Sequence, residues 1–188
     1  MVLESNSQLS SYNGLLTGIP YRSSPNQDLR PSSDDISSIV IHNISLPPGE
    51  FGGGWIDDLF LNRLNPSAHP YFKKIADLRV SAHLLIRRDG EIIQYVPFHH
   101  RAWHAGVSCW EGRESCNDYT IGVELEGCDQ QNFEQHQYLA LVEVIQCLSR
   151  TYPKLSPKTI IGHQHIAPDR KTDPGPFFDW QHLSAMLS

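Results

Sequence analysis

The chain has 188 residues, 39% of them hydrophobic and 19% charged, the balance of one folded domain rather than of a disordered segment. A formal net charge of −6 argues against a nucleic-acid partner, which needs a basic stripe or patch. No run reaches the ~18 apolar residues of a membrane span, and the opening Met-Val-Leu-Glu-Ser-Asn-Ser has no basic start, apolar stretch or cleavage site. A cytoplasmic protein with no membrane contact is therefore expected, with reduced thiols.

Residues 1–35 are rich in Ser, Asn, Pro and Asp without periodicity, and are expected to form an irregular arm packed on a domain of residues 36–188. Ile36 to Ile41 is a β-branched run, read as a buried strand ending at His42. Pro47-Pro48-Gly49 and Gly52-Gly53-Gly54 break structure after it. From Trp55 to Leu64, Ile56, Leu59 and Phe60 recur at helical spacing. Val80–Ile86 and Glu91–Val96 flank Asp89-Gly90, which predicts a hairpin. Cys109, Cys116, Cys128 and Cys147 form no C-x-x-C pair, so no cysteine zinc knuckle is expected. Thr120–Leu125 reads as a strand with Ile121, Val123 and Leu125 on one face and Gly122, Glu124 and, just beyond, Glu126 on the other. Gln135–Thr151 carries the stripe Tyr138, Leu141, Val142, Ile145, Leu148, a helix closed by Pro153. Lys158–Gly162 is a short strand leading into His163, and Trp180–Leu187 a short final helix. Strands and helices mix within one α/β domain, most economically as a central sheet with helices on both sides. No apolar stripe is left over once the helices are buried, so a monomer is expected.

Ten histidines are many for this length. His42 and His163 each stand at the end of an expected strand, where sheet enzymes build their sites, and Asp173 follows in a loop stiffened by Pro174. Two imidazoles and a carboxylate with a fourth position open to water form a standard catalytic zinc set, which brings the pKa of water down to about 7. The spacing is not diagnostic, because His42 lies far from the other two. A local set of His163, His165 and Asp169 competes, and His42 also suits a satisfied core histidine. Hydrolysis of an amide needs a base and then an acid; Glu124 and Glu126 share the face opposite the core, and periodicity does not choose between them. Lys171 could stabilise an oxyanion. Arg79 and Arg170 could bind carboxylates, and Trp103 and His104 could stack on a sugar ring or wall a pocket. Each of these also suits an ordinary surface charge or packing aromatic.

Several stretches resemble the AmpD-type 1,6-anhydro-muramyl-peptide amidases. They are Val40-Ile41-His42-Asn43-Ile44-Ser45-Leu46-Pro47-Pro48-Gly49-Glu50-Phe51-Gly52, His69-Pro70-Tyr71-Phe72, Leu78-Arg79-Val80-Ser81-Ala82-His83, Arg101-Ala102-Trp103-His104-Ala105-Gly106-Val107-Ser108, Cys116-Asn117-Asp118, Ile121-Gly122-Val123-Glu124-Leu125-Glu126-Gly127, and Gly162-His163 with Ile166 to Pro176. Ser24-Pro25-Asn26 and Arg30-Pro31 fit the family's N-terminal arm. The resemblance covers nearly the whole chain. It implies zinc bound by His42, His163 and Asp173, Glu124 as acid and base, Lys171 as oxyanion stabiliser, and substrate contacts at Asn43, Arg79, Trp103 and Arg170. It implies the mixed sheet flanked by helices found in peptidoglycan recognition proteins. The implied activity is cleavage of the lactyl–L-alanine amide of anhydro-muropeptides during cell-wall recycling, which limits fragments that induce β-lactamase. Ser115 departs from the family pattern, standing for a basic residue, and His165 stands for Asn or Asp. Two other functions remain to be weighed, a lytic amidase on intact peptidoglycan and a module that binds muropeptides without cutting them. The first usually needs export or a wall anchor, and the second typically lacks part of the metal set.

Overall fold

The computed structural model describes residues 8–188. Residues 1–7, which carry the start of the expected arm, lie outside the described residues. In chain order the elements are β1 (Ser11–Tyr12), β2 (Leu15–Leu16), β3 (Gln27–Leu29), β4 (Ser38–Ile44), α1 (Trp55–Phe60), β5 (Leu84–Ile86), β6 (Ile92–Gln94), β7 (His100–Ala102), β8 (Cys109–Trp110), β9 (Arg113–Glu114), β10 (Thr120–Glu126), α2 (Gln135–Thr151), β11 (Ile160–Gly162), α3 (His163–Ile166) and α4 (Trp180–Leu187).

A five-stranded sheet in the order β11-β4-β10-β5-β6 forms the centre. β11, β4, β10 and β5 run parallel, and β6 returns antiparallel through the Asp89-Gly90 turn. A parallel sheet needs cover on both faces. On one face Ile39, Ile41, Leu84, Ile86, Ile121, Val123 and Leu125 pack under α2 and α4. α2 begins with a capping box between Glu134 and Gln137. On the other face the cover is split: Leu85 and Ile93 lie under α1, while Val40 and Ile161 join Ala105, Cys116, Tyr119 and Ile166. Between these two apolar clusters the middle of the sheet carries Gly122, Glu124 and His42, and there the cleft opens.

Two expectations are corrected. The strand through Ile36–Ile41 does not end at His42 but runs to Ile44, because β10 pairs with it as far as Glu126↔Ile44. The first 35 residues are also more regular than expected where they are described. β1 and β2 form a hairpin, and β3 pairs antiparallel with β7. Arg30 fastens this segment, its buried guanidinium donating to the carbonyls of Phe98, Asn117, Asp118 and Thr120 at 2.7–3.0 Å.

Candidate active site

His42 and Glu124 are directly paired across β4 and β10, so their side chains stand side by side on the cleft face. His163 opens α3 immediately after β11, the neighbour of β4 on its other side. Asp173 lies in the loop that follows α3, where its carbonyl accepts from Gln164 N at 3.0 Å. The result is a tight triangle. His42 Nδ1 and His163 Nδ1 lie 2.9 Å apart, and each is 3.0 Å from Asp173 Oδ2.

The hydrogen-bond partners on the far side of each ring fix where its proton sits. The Thr120 hydroxyl donates to Cys116 O at 2.7 Å, so Thr120 Oγ1 must accept from His104 Nε2 at 3.2 Å. Desolvation holds His104 well below the usual histidine range, so its Nδ1 is bare. That nitrogen accepts from His42 Nε2 at 2.9 Å, which leaves the His42 lone pair on Nδ1. His163 Nε2 donates to Ala105 O at 3.1 Å, which turns its Nδ1 inward. Gly122 makes room for the relay: a Cβ there would meet His104 Cγ at 2.5 Å.

Two imidazole nitrogens and a carboxylate oxygen, each able to offer a lone pair, therefore converge. Such a trio repels itself unless a cation sits between, and two imidazoles with one carboxylate suit zinc. Electrostatics point the same way. Desolvation pushes His42 down to about 4, against the pull of the neighbouring Asp173 carboxylate, so it is neutral and available as a ligand. Desolvation alone would raise the Asp173 carboxyl, but the closeness of His163 and His42 outweighs it and holds it well below the usual range.

Glu124 lines the same cavity, of about 210 Å³, with Lys171. Its Oε2 is closed off from solvent and has no hydrogen-bond partner. Desolvation, reinforced by the Asp173 charge and opposed by Lys171, raises its carboxyl well above the ordinary range. Glu126, on the same face two residues on, is engaged elsewhere. It is buried, 3.1 Å from Arg87 Nη1, and accepts from Gly52 N and Arg88 N.

The other candidate residues divide. Trp103 forms part of the cavity wall. Asn43, Lys171 and Asp173 lie both in the cavity and in an adjoining groove of about 580 Å³. Both amide hydrogens of Asn43 are taken, by Asp129 Oδ1 at 2.7 Å and Pro174 O at 3.0 Å, so only its Oδ1 remains for another partner. Arg170 lies in the groove too, though one end of its guanidinium donates to Ala105 O and Val107 O at 2.7 Å. Arg79 is exposed, between the cavity-lining Leu78 and Val80. His165 does not join His163, because the chain turns into α3 there instead of continuing as a strand. Its Nδ1 accepts from Gly162 N, and its ring leans towards Trp110 and Trp180. Asp169 and Ser115 line a separate hollow beside Arg170. Sequence reasoning missed Thr120 and Asp129. Asp129 bonds Asn43 and Thr172, 86 and 43 residues away, and no local pattern marks such a residue.

The chain belongs to the N-acetylmuramoyl-L-alanine amidase family, whose model matches residues 32–176. Within it, the chain is similar to the 1,6-anhydro-N-acetylmuramyl-L-alanine amidase AmpD of Escherichia coli (strain K12), at 56% identity over 175 residues, covering 93% of this chain and 95% of that protein. A crystal structure of a Se-Met AmpD derivative superposes with a TM-score of 0.91 at 55% identity, covering 94% of this chain and 98% of that one. The amidase AmiD of E. coli, in complex with the substrate anhydro-N-acetylmuramic acid-L-Ala-D-gamma-Glu-L-Lys, superposes with a TM-score of 0.61 at 27% identity, covering 95% of this chain and 65% of that one.

Proposed function

We propose that this chain is a zinc-dependent amidase that hydrolyses the bond between the lactyl group and L-alanine in 1,6-anhydro-N-acetylmuramyl-peptides, in the cytoplasm, during cell-wall recycling. The observation that carries this reading is the tight triangle of His42, His163 and Asp173 beside an unpartnered Glu124. High identity to AmpD over almost the full length of both chains supports the substrate, as does the anhydro-muropeptide bound by AmiD. Among the described residues no helix is long and apolar enough to cross a membrane.

His42, His163 and Asp173 would hold the zinc, which when bound supplies a Lewis acid and water that ionises near neutral pH. Glu124 takes a proton from the attacking water, consistent with its raised proton affinity. Lys171 faces the negative charge that develops on the lactyl carbonyl oxygen, a contribution of ~3 kcal/mol for a well-placed donor. Glu124 then returns the proton to the departing amine of L-alanine as the C–N bond breaks. Trp103, Asn43, Arg79 and Arg170 would hold the sugar and the peptide along the cavity and its adjoining groove.

The test is mass spectrometry of anhydro-muramyl-tripeptide incubated with the protein, with and without a zinc chelator. Free tripeptide and anhydro-muramic sugar, lost on chelation and restored by zinc, are expected. An intact substrate after incubation with zinc-loaded protein, together with solubilisation of sacculi, would overturn the assignment in favour of wall lysis.

A further inference from the structure

The segment after β10 carries Asp129, a carboxylate that none of the chemistry above employs. Its Oδ1 accepts from Asn43 Nδ2 at 2.7 Å, and its Oδ2 accepts from Thr172 Oγ1 at 2.5 Å. Asn43 follows His42 in β4, and Thr172 precedes Asp173. The same Asn43 amide donates to Pro174 O at 3.0 Å, on the other side of Asp173. Asp129 thus ties the strand bearing one candidate ligand to the loop bearing another, with both flanks of Asp173 bound into the tie. The segment is itself anchored where it leaves the sheet, since Gly127 N donates to Ile44 O at 2.9 Å. The approach of the loop is close: a Cβ on Gly175 would lie 2.6 Å from Asp129 Oδ1, and that glycine has a φ of +85°. Only glycine lets the chain pass here without displacing the carboxylate.

We infer that Asp129 is a positioning residue for the metal site, a clamp that sets the Asp173 loop against β4 so that the Asp173 carboxylate meets the two imidazoles. The inference rests on the reading of His42, His163 and Asp173 as zinc ligands. Asp129 makes no hydrogen bond to any of the three, its bonds going to Asn43 and Thr172. It acts through Asn43 and Thr172, as outer-shell groups do when they orient ligands. The clamp depends on two hydrogen bonds and not on charge. In Asp129→Asn the amide oxygen still accepts from Asn43, and the amide nitrogen donates to the Thr172 hydroxyl oxygen. Asp129→Ala has neither bond.

Zinc dissociation constants, measured by chelator competition at a temperature where circular dichroism shows every variant folded, test the clamp. Asp129→Ala should raise the constant by about 10- to 100-fold, the range found for outer-shell partners, with Asp129→Asn restoring most of the loss. Should Asp129→Ala fail to fold, Thr172→Val carries the test, with a rise of about 2- to 10-fold for one hydrogen bond. Zinc affinity in Asp129→Ala equal to that of the wild type overturns the clamp, as does an Asp129→Asn protein as weak as Asp129→Ala. If Asp129→Ala fails to fold, wild-type affinity in Thr172→Val overturns it. A wild-type protein that binds no zinc overturns both the clamp and the metal site on which it rests.

Discussion

Glu124 combines a raised proton affinity with an unpartnered oxygen, and both properties follow from one cause, the removal of water from a carboxylate beside Asp173. Because its folded-state pKa is raised, the stability it contributes is present below its unfolded value of ~4.3 and is lost as pH rises through the folded value. At neutral pH and above, the ionised form weighs against the fold. Glu124→Gln should therefore melt at a higher temperature than the wild type in metal-free protein at pH 8, by about 2–4 °C for each kcal/mol relieved. Turnover of the same variant should fall by ~10²–10⁴-fold, the usual contribution of an acid–base group. A variant that keeps near-normal turnover with zinc bound would remove Glu124 from the chemistry. Asp173→Ala leaves two bare imidazole nitrogens without their anionic partner, and it should lose zinc and activity together, read by metal analysis and product release. An active, zinc-replete Asp173→Ala protein would take Asp173 out of the ligand set.

At the level of elements, the two faces of β10 have separate duties, and mutations should divide accordingly. On the cleft face, Gly122→Ala would drive a methyl group into His104, whose Nδ1 receives the His42 proton. Overpacking of this kind costs about 1–3 kcal/mol, and displacement of His104 should weaken zinc binding by about 10-fold or more. On the core face, Leu141→Ala in α2 empties a fully buried site packed with the β10 residues Ile121, Val123 and Leu125. It should cost about 2–5 kcal/mol in a denaturant titration and leave the zinc dissociation constant of the folded protein unchanged. A large loss of affinity in Leu141→Ala would mean that the two faces are coupled through the sheet.

For the molecule as a whole, the cleft imposes a dependence on acid. Desolvation brings His42 to about 4 and holds His83 and His104 well below the usual range. In the unfolded chain the same rings take up protons near pH ~6.5. Their folded pKa values are depressed, so the stability they contribute is fully present above ~6.5 and is lost as the pH falls through the folded values. Metal-free protein should therefore melt at progressively lower temperature from pH 6.5 towards pH 4. Glu124 has the opposite sign, so the measurement is cleanest in Glu124→Gln. A flat melting profile across that window would show that these rings take up protons as readily in the fold as in the unfolded chain.

The sequence by itself determined what depends on neighbours along the chain. The bounds of α2 at Gln135–Thr151 and of α4 at Trp180–Leu187, the reversal at Asp89-Gly90 and the two faces of β10 follow from periods of 3.6 and 2 and from turn chemistry, all local properties. The strands β1, β2 and β3 were not legible, since two or three residues are too few to display a period. Tertiary structure alone decided how far β4 runs past His42, because pairing with β10 sets that length. It also decided between residues that pattern treats as equal. Glu124 and Glu126 share a face, yet only Glu126 meets Arg87. His163 and His165 would share a face in a strand, yet the chain turns helical at His163. Motif resemblance could name His42, His163 and Asp173 together, but their convergence joins residues up to 131 positions apart. The direction of each lone pair depends on Thr120, His104 and Ala105, partners that only folding brings to the far side of each ring.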